Sequence, residues 1–518
     1  MQRKSSSGRE PLTGRDERRD FLKLGAAALS SIALAGCPPQ PPIPPPPPPQ
    51  GGAGGAGTGG SGGSGGPGGS GGSGGTGPLP DGVTRVVTVG GKRVFLRRRL
   101  SSWNERDYTA YRTAVGVMKS RPLLDPTSWE FQARIHGVPD ALTNPAWGKC
   151  PHGSIHFLSW HRMYVYFWER IVRAASGDPE FSIGYWRYES TVPSSLILPA
   201  EFRTGGASNP LFATRSTAVN AGSPISASAV LSDAAMLEPA LLAPPSPGFG
   251  SAIESSPHNN VHVQIGGLMA SVPTAAQDPI FWTHHANIDR FWRRWLDDAA
   301  HANPISGAFL TQVFSFFDET GAPVTMTGAD VLDTVAKLDY QYDDDLAPLP
   351  APRAPGPMPP SKPKLLAQSP APRFELEGNA KSYDVKLQPG AAQTMRAVGP
   401  ATKQRVLLVI EDVSASAPPD VSYEVYLNLP ANEVPDYKSQ YFAGTFSAFG
   451  ADSHHAGHGT PMKVTLNVTK TVASLAKGTI DPANVKVTFV PVRAGEKAGA
   501  PLVTRVITSF GKLSISSE

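Results

Sequence analysis

Two rhythms divide the chain. Between about residues 100 and 346, apolar side chains recur every third or fourth position, the period of a helix packed on one face. Beyond residue 373 they come in short runs or alternate, the period of strands. Trp103 to Lys119 places Tyr108, Tyr111, Ala114, Val115 and Met118 at helical spacing. Trp129 to Ile135 leads into His136, and Trp160 to Ala174 is aromatic enough to form a buried helix. Ile280 to Leu296 is a fourth helix, with Asp278 as its cap and Pro279 in its first turn. Connections rich in Pro, Ser and Gly separate these segments. The pattern predicts a mainly α domain, a helical bundle with long loops whose core can carry a site. Further on, Val406 to Ile410 reads as a buried strand, and Val421, Tyr423, Val425 and Leu427 alternate. Val464 to Val468 and Val485 to Val490 continue the pattern, so a C-terminal all-β, sandwich-like domain is expected.

Composition sets the boundaries. Of 518 residues, 53 are Gly and 53 Pro, and much of that excess lies between residues 38 and 78. Residues 38–50 are nearly all proline, a stiff polyproline II segment, and residues 51–78 are Gly/Ser/Thr repeats, a flexible coil. The expected order is a leader over residues 1–37, a tether over 38–81, the helical domain over 82–346, a Pro-rich linker over 347–372 and the β domain over 373–518. A net charge of +4 without a long basic block argues against nucleic acid as a partner. With only two cysteines, Cys37 and Cys150, neither a disulfide framework nor a thiolate zinc site is available.

The leader carries an address. Arg18-Arg19-Asp20-Phe21-Leu22-Lys23 and the apolar run Leu24 to Ala35 resemble a bacterial twin-arginine export signal. The run is too short for an ordinary membrane span. Leu34-Ala35-Gly36-Cys37 resembles the lipobox of bacterial lipoproteins, which implies cleavage before Cys37 and lipidation of it. The resemblance implies export of a folded protein, tethered by lipid to a membrane in the periplasm or at the cell surface.

The chemistry lies in two histidine clusters. The first holds His136, Cys150-Pro151-His152 and His161; the second holds His258, His262, His284 and His285. Two sets of three imidazoles without a carboxylate suit copper better than iron, magnesium or calcium. His258 and His262 are four apart and share a helix face. His152 and His161 are nine apart, half a turn out of phase, so His152 belongs in the loop before the helix that carries His161. His284 and His285 point about 100° apart on a helix, so one of the two is expected to face the metal and the other to pack beside it. His156 has no partner pattern and reads as structural. The protease motif His-Glu-x-x-His is absent.

The segments HGSIHFLSWHRMYVYFWERI and ESSPHNNVHVQIGG, with QDPIFWTHHANIDRFW, resemble the two copper-binding signatures of tyrosinases, catechol oxidases and haemocyanins. Tyr340-Gln341-Tyr342 resembles the tyrosine motif that closes their catalytic domain. The resemblance implies one copper on His136, His152 and His161 and another on His258, His262 and His285, with dioxygen as co-substrate and phenols as substrates. His284 is then left beside the site. Cys150, two residues before His152, stands where fungal tyrosinases carry a cysteine in thioether linkage to that histidine.

The same resemblance assigns the surroundings. Glu254 matches a water-holding glutamate and Asn259 an asparagine that polarises this water; together they would deprotonate a phenol. Val272 stands where plant catechol oxidases often carry a bulky phenylalanine, which leaves a wider mouth here. Val263, after His262, brings no charge. The expected activity is ortho-hydroxylation of monophenols and oxidation of o-diphenols to o-quinones. The alternatives are a catechol oxidase without the hydroxylation or, in another class, a haemocyanin-like oxygen binder. RVLLVIEDV, SYEVYLNLP, YFAGTFSAFG and VKVTFVPV resemble the C-terminal domain of plant polyphenol oxidases. That domain shields the copper site, which implies a latent enzyme and a protease that removes the shield. His454, His455 and His458 read as a solvated loop.

Overall fold

A computed structural model describes residues 81–518, apart from residue 191 and residues 243–247, 346–362, 399–403, 453–461 and 477–483. The leader with Cys37, the tether up to residue 80, most of the linker, and His454, His455 and His458 lie outside the described residues. Among the described residues, no helix is long and apolar enough to cross a membrane.

The helical part forms where its pattern places it. Helix α1 (Glu105–Ser120) starts at Asn104, whose side chain accepts the Asp107 N–H while the Asp107 carboxylate takes the Asn104 N–H. Helix α2 (Trp129–His136) is capped by Ser128. Helix α3 (Phe157–Ser176) stops at Gly177, which takes the left-handed conformation (φ 70°) that a side chain would resist. A short α4 (Phe249–Ile253) is followed by a break at Ser256, then α5 (Asn259–Ile265). Helix α6 (Pro279–Trp295) is capped by Asp278 as expected. The rings of Trp168 on α3 and Trp282 on α6 stack at 4.0 Å, and the Tyr111 hydroxyl of α1 donates to Pro279 O at 2.7 Å. These buried aromatics lock α1, α3 and α6 together.

Short strands close the bundle. A hairpin of β1 (Val86–Val89) and β2 (Lys92–Arg97) lies far in sequence from the hairpin of β3 (Val313–Phe317) and β4 (Pro323–Thr327). Strand β5 (Tyr340–Tyr342) pairs with β2 in parallel and sets Tyr342 opposite Arg97. There a buried knot forms around Asp289 of α6. Its carboxylate accepts the hydroxyls of Tyr340 (2.6 Å) and Tyr342 (2.5 Å) and pairs with Arg162 and Arg97. Burial opposes ionisation of Asp289, but Arg162 and Arg97 hold its carboxyl below the usual range. Glu169 of α3 takes the rest of the Arg97 guanidinium. The tyrosine motif therefore closes the domain by capping buried charge.

The C-terminal domain contains β6 (Lys364–Gln368), β7 (Phe374–Leu376), β8 (Lys381–Leu387), β9 (Val406–Ala415), β10 (Ser422–Leu427), β11 (Phe442–Phe446), β12 (Met462–Asn467), β13 (Asn484–Val492), β14 (Thr508–Phe510) and β15 (Lys512–Ser517). Its strand order is β11-β10-β13-β8-β6-β15-β9-β14-β7, with β12 on β9, and every pairing is antiparallel. The sandwich expectation changes in one respect. Among the described residues, hydrogen bonds run through a single ten-stranded sheet, because the long β9 pairs with β12, β15 and β14. The linker boundary shifts as well. Lys364–Gln368, inside the stretch read as linker, is β6, because Leu366 and Ala367 bury their side chains in this domain's core.

Strand β10 is buried on both faces. Tyr423, Val425 and Leu427 join the core of their own domain, as their alternation predicts. The opposite face, with Glu424 and Tyr426, is covered by the helical domain: Glu424 bonds Ser228, and Thr445 Oγ1 of the adjoining β11 donates to Ser228 O at 2.9 Å. Arg405 reaches across to pair with the buried Glu238.

Asp289→Ala should cost about 3–5 kcal/mol in denaturant unfolding, because two arginines and two tyrosine hydroxyls lose their common partner. Asp289→Asn, which keeps an acceptor, should cost less.

Candidate metal centre

The histidines gather from separate elements. His136 ends α2, His152 sits in the loop before α3, and His161 lies on α3. His258 is the residue before α5, His262 lies on α5, and His284 and His285 lie on α6. The break at Ser256 resets the chain, so that a new helical run carries His258 and His262 one turn apart. Two sets result: His136, Cys150, His152 and His161, and His258, His262, His284 and His285. Within each set the nitrogen or sulfur atoms lie within 4.8 Å of one another. The sets face each other, with the rings of His161 and His285 stacked at 4.3 Å and those of His152 and His258 5.8 Å apart.

Most rings are aimed by their second nitrogen. His136 Nδ1 bonds Val272 O (2.9 Å), His161 Nδ1 bonds Phe157 O (2.8 Å), and His262 Nδ1 bonds Met269 O (2.8 Å). His258 Nδ1 bonds Asn259 Oδ1 at 2.8 Å. An acceptor at Nδ1 puts the proton there and leaves Nε2 with its lone pair free for a metal. The buried Nε2 atoms of His258, His262 and His285 have no hydrogen-bond partner. Burial also holds His161, His262, His284 and His285 well below the ordinary imidazole pKa, and His258 at about 4. The unpartnered Nε2 atoms of the neutral His258, His262 and His285, and the absence of a carboxylate from either set, fit copper. The His136 bond needs a close approach, since a Cβ on Gly137 would lie 2.7 Å from Val272 O.

One expectation is loosened. His284 and His285 both place a nitrogen within reach of their set, because the side-chain torsions offset the angle between neighbouring Cβ directions. They still differ. His285 stacks on His161 and bridges the two sets, whereas His284 lies against Tyr188 at 5.6 Å. His156 stands apart, stacked on Phe309, as its lack of a partner pattern suggested.

Glu254 sits at the end of α4 and is buried. Its Oε1 accepts the Gly153 N–H at 2.7 Å, directly after His152, and burial pushes its carboxyl up to about 8. Asn259 is buried, with its carbonyl oxygen engaged by His258. Cys150 Sγ is 3.5 Å from both Nδ1 and Nε2 of His152, the position of a sulfur that faces the carbon between them. It is also 3.3 Å from His161 Nε2, and burial raises its thiol pKa well above the ordinary value.

The residue that sequence reasoning missed is Phe449. It follows β11, in the Ser447-Ala448-Phe449-Gly450 turn, and its ring stacks on His262 at 4.2 Å with a 14° interplanar angle. It is 5.9 Å from the rings of both His152 and His258, and it buries itself against Val263 and Val272. The only signal was an aromatic side chain in a turn of small residues. Val272 therefore packs against the ring that stacks on His262.

Known proteins agree with this geometry. Residues 126–235 and 242–298 match the common central domain of tyrosinase, and residues 307–353 match the polyphenol oxidase middle domain. Residues 364–508 match a domain of unknown function. Tyrosinase HcTyr1 of Hahella sp. (strain CCB-MM4) is 30% identical over 473 residues, which is 79% of this chain and 96% of that protein. The chain belongs to the tyrosinase family. It is a copper-dependent polyphenol oxidase with a dicopper centre that uses dioxygen. The latent form of the chloroplastic polyphenol oxidase of Prunus armeniaca is 26% identical over 444 residues, 74% of this chain and 70% of that one. The latent apple tyrosinase structure shares the fold, with a TM-score of 0.58 at 23% identity, covering 82% of this chain and 97% of that one.

If His285 is a ligand and His284 a neighbour, His285→Gln should purify with one copper per chain and His284→Gln with two, by metal analysis. The reverse result would exchange their roles.

Proposed function

We propose that this polyphenol oxidase hydroxylates monophenols at the ortho position as well as oxidising o-diphenols to o-quinones, and that the intact chain is latent. His136, His152 and His161 would hold one copper, and His258, His262 and His285 the other. When bound, the copper pair supplies dioxygen activation and the two-electron oxidation. The protein supplies access, orientation and a base.

The observation that carries the hydroxylase reading is Glu254. A catechol oxidase does not need a base for a monophenol, yet a buried carboxyl is held beside the His152 loop and the His258 helix. Desolvation makes its carboxylate a stronger base than a solvated glutamate. It would accept the phenol proton through a water shared with Asn259, whose bond to His258 sets the amide orientation. Val272 is small enough to admit the ring that Phe449 now replaces. The phenol would lie where Phe449 lies, against His262.

Latency follows from the same ring, which occupies the approach to both sets. Displacing the C-terminal domain, by a protease or by mild detergent, withdraws it. The equidistant sulfur supports a Cys150–His152 thioether, which would fix the ring of His152. The leader supports export by the twin-arginine route and a lipid anchor at Cys37, in the periplasm or at the cell surface.

Glu254→Gln should lower monophenol turnover about 100-fold while sparing catechol oxidation, in oxygen-uptake assays on paired substrates. Equal loss on both would sink the base assignment, and a wild type inactive on every monophenol would leave the catechol oxidase. Phe449→Gly should raise the activity of the full chain toward that of the protease-treated enzyme. Unchanged wild-type activity after proteolysis would end the latency reading. A thioether makes the Cys150–His152 peptide two hydrogens lighter by mass spectrometry, and Cys37→Ala should move the protein out of the membrane fraction.

A further inference from the structure

Helix α5 has two occupied faces. His258 and His262 look into the histidine sets. Asn260 and Gln264, again four apart, share another face. They are 0% and 1% exposed, and both reach into the C-terminal domain. Asn260 Nδ2 donates to Thr445 O of β11 at 3.2 Å. Gln264 Nε2 donates to Val492 O, the last residue of β13, at 3.0 Å, while its Oε1 accepts the Ser226 N–H at 3.1 Å. Thr445 stands four residues before Phe449, so the strand that leads into the Phe449 turn is also bonded to the back of the histidine helix. The first set has different support: α3 is held by α1, α6 and the Asp289 knot.

We propose that Asn260 and Gln264 are positioning residues that tie docking of the C-terminal domain to the second histidine set. The domain would then support the helix that holds one copper in addition to covering the site. A buried amide that loses its partner is costly, so undocking frees α5 and spares α3. By linkage, copper on the second set strengthens docking by the same factor as docking strengthens copper.

The inference rests on the copper reading, and its test separates the two. The copper-loaded full chain is dialysed against a chelator, and copper per chain is followed by metal analysis. Gln264→Glu is the informative variant: it keeps an acceptor for the Ser226 N–H and loses the donor to Val492 O. Gln264→Glu and Asn260→Ala should each release one copper per chain about tenfold faster than wild type and the second copper at the wild-type rate. Release at the wild-type rate, or faster release of both coppers together, overturns the inference. A wild type that takes up no copper would sink the copper reading instead. If the variants fail to fold, hydrogen exchange on the wild-type chain decides. Copper loading should slow exchange across Phe442–Phe446 and leave Lys364–Gln368 unchanged, and the absence of any copper-dependent change in β11 overturns the inference.

Discussion

A copper pair held by imidazoles requires rings that are neutral, correctly turned and denied other partners. Burial keeps His161, His258 and His262 neutral, and a hydrogen-bond acceptor at the Nδ1 of these three rings and of His136 turns each one. Two of those acceptors come from the segment between α5 and α6. Met269 O turns His262, and Val272 O turns His136 of the opposite set. One connection thus aims a ring on each side of the centre. It can approach α2 so closely because residue 137 is glycine.

The rest of the helical domain keeps these elements from moving apart. Asp289 lies four residues beyond His285 on α6, and it ties that helix to α3, to the N-terminal hairpin and to the closing tyrosine strand. A buried carboxylate shared by two arginines and two phenols fixes distances between segments nearly 250 residues apart in the chain. The price is rigidity, and a centre with both metals in fixed positions tolerates that cost well.

Much of this could be read from the chain because ligand spacing on one helix is a local property. The phase between His152 and His161 put the former in a loop, and the four-residue step joined His258 to His262; both hold in the structure. Asp278 and Pro279 mark the start of α6 for equally local reasons. What escaped notice is non-local. Phe449 has no partner within its own turn, and its importance arises from His262, in the other domain. Strand β10 alternates for its own core, and nothing in it announces a neighbour on its other side. Lys364–Gln368 looked like linker because prolines flank it, and it becomes a strand through pairing with β8 and with β15 near the far end of the chain.

Strand β10 also bears on what the proposed removal of the C-terminal domain would leave. Its second face holds Glu424 and Tyr426, bonded to each other at 2.5 Å in a setting that burial has made apolar enough to raise the Glu424 pKa. Cut loose, the fragment would wet that face, ionise the carboxyl and expose the aromatic ring that had sat on the histidines. The liberated piece is then a poorer fit for the surface it left. On the proposed latency, loosening could be undone, whereas cleavage would act as a ratchet.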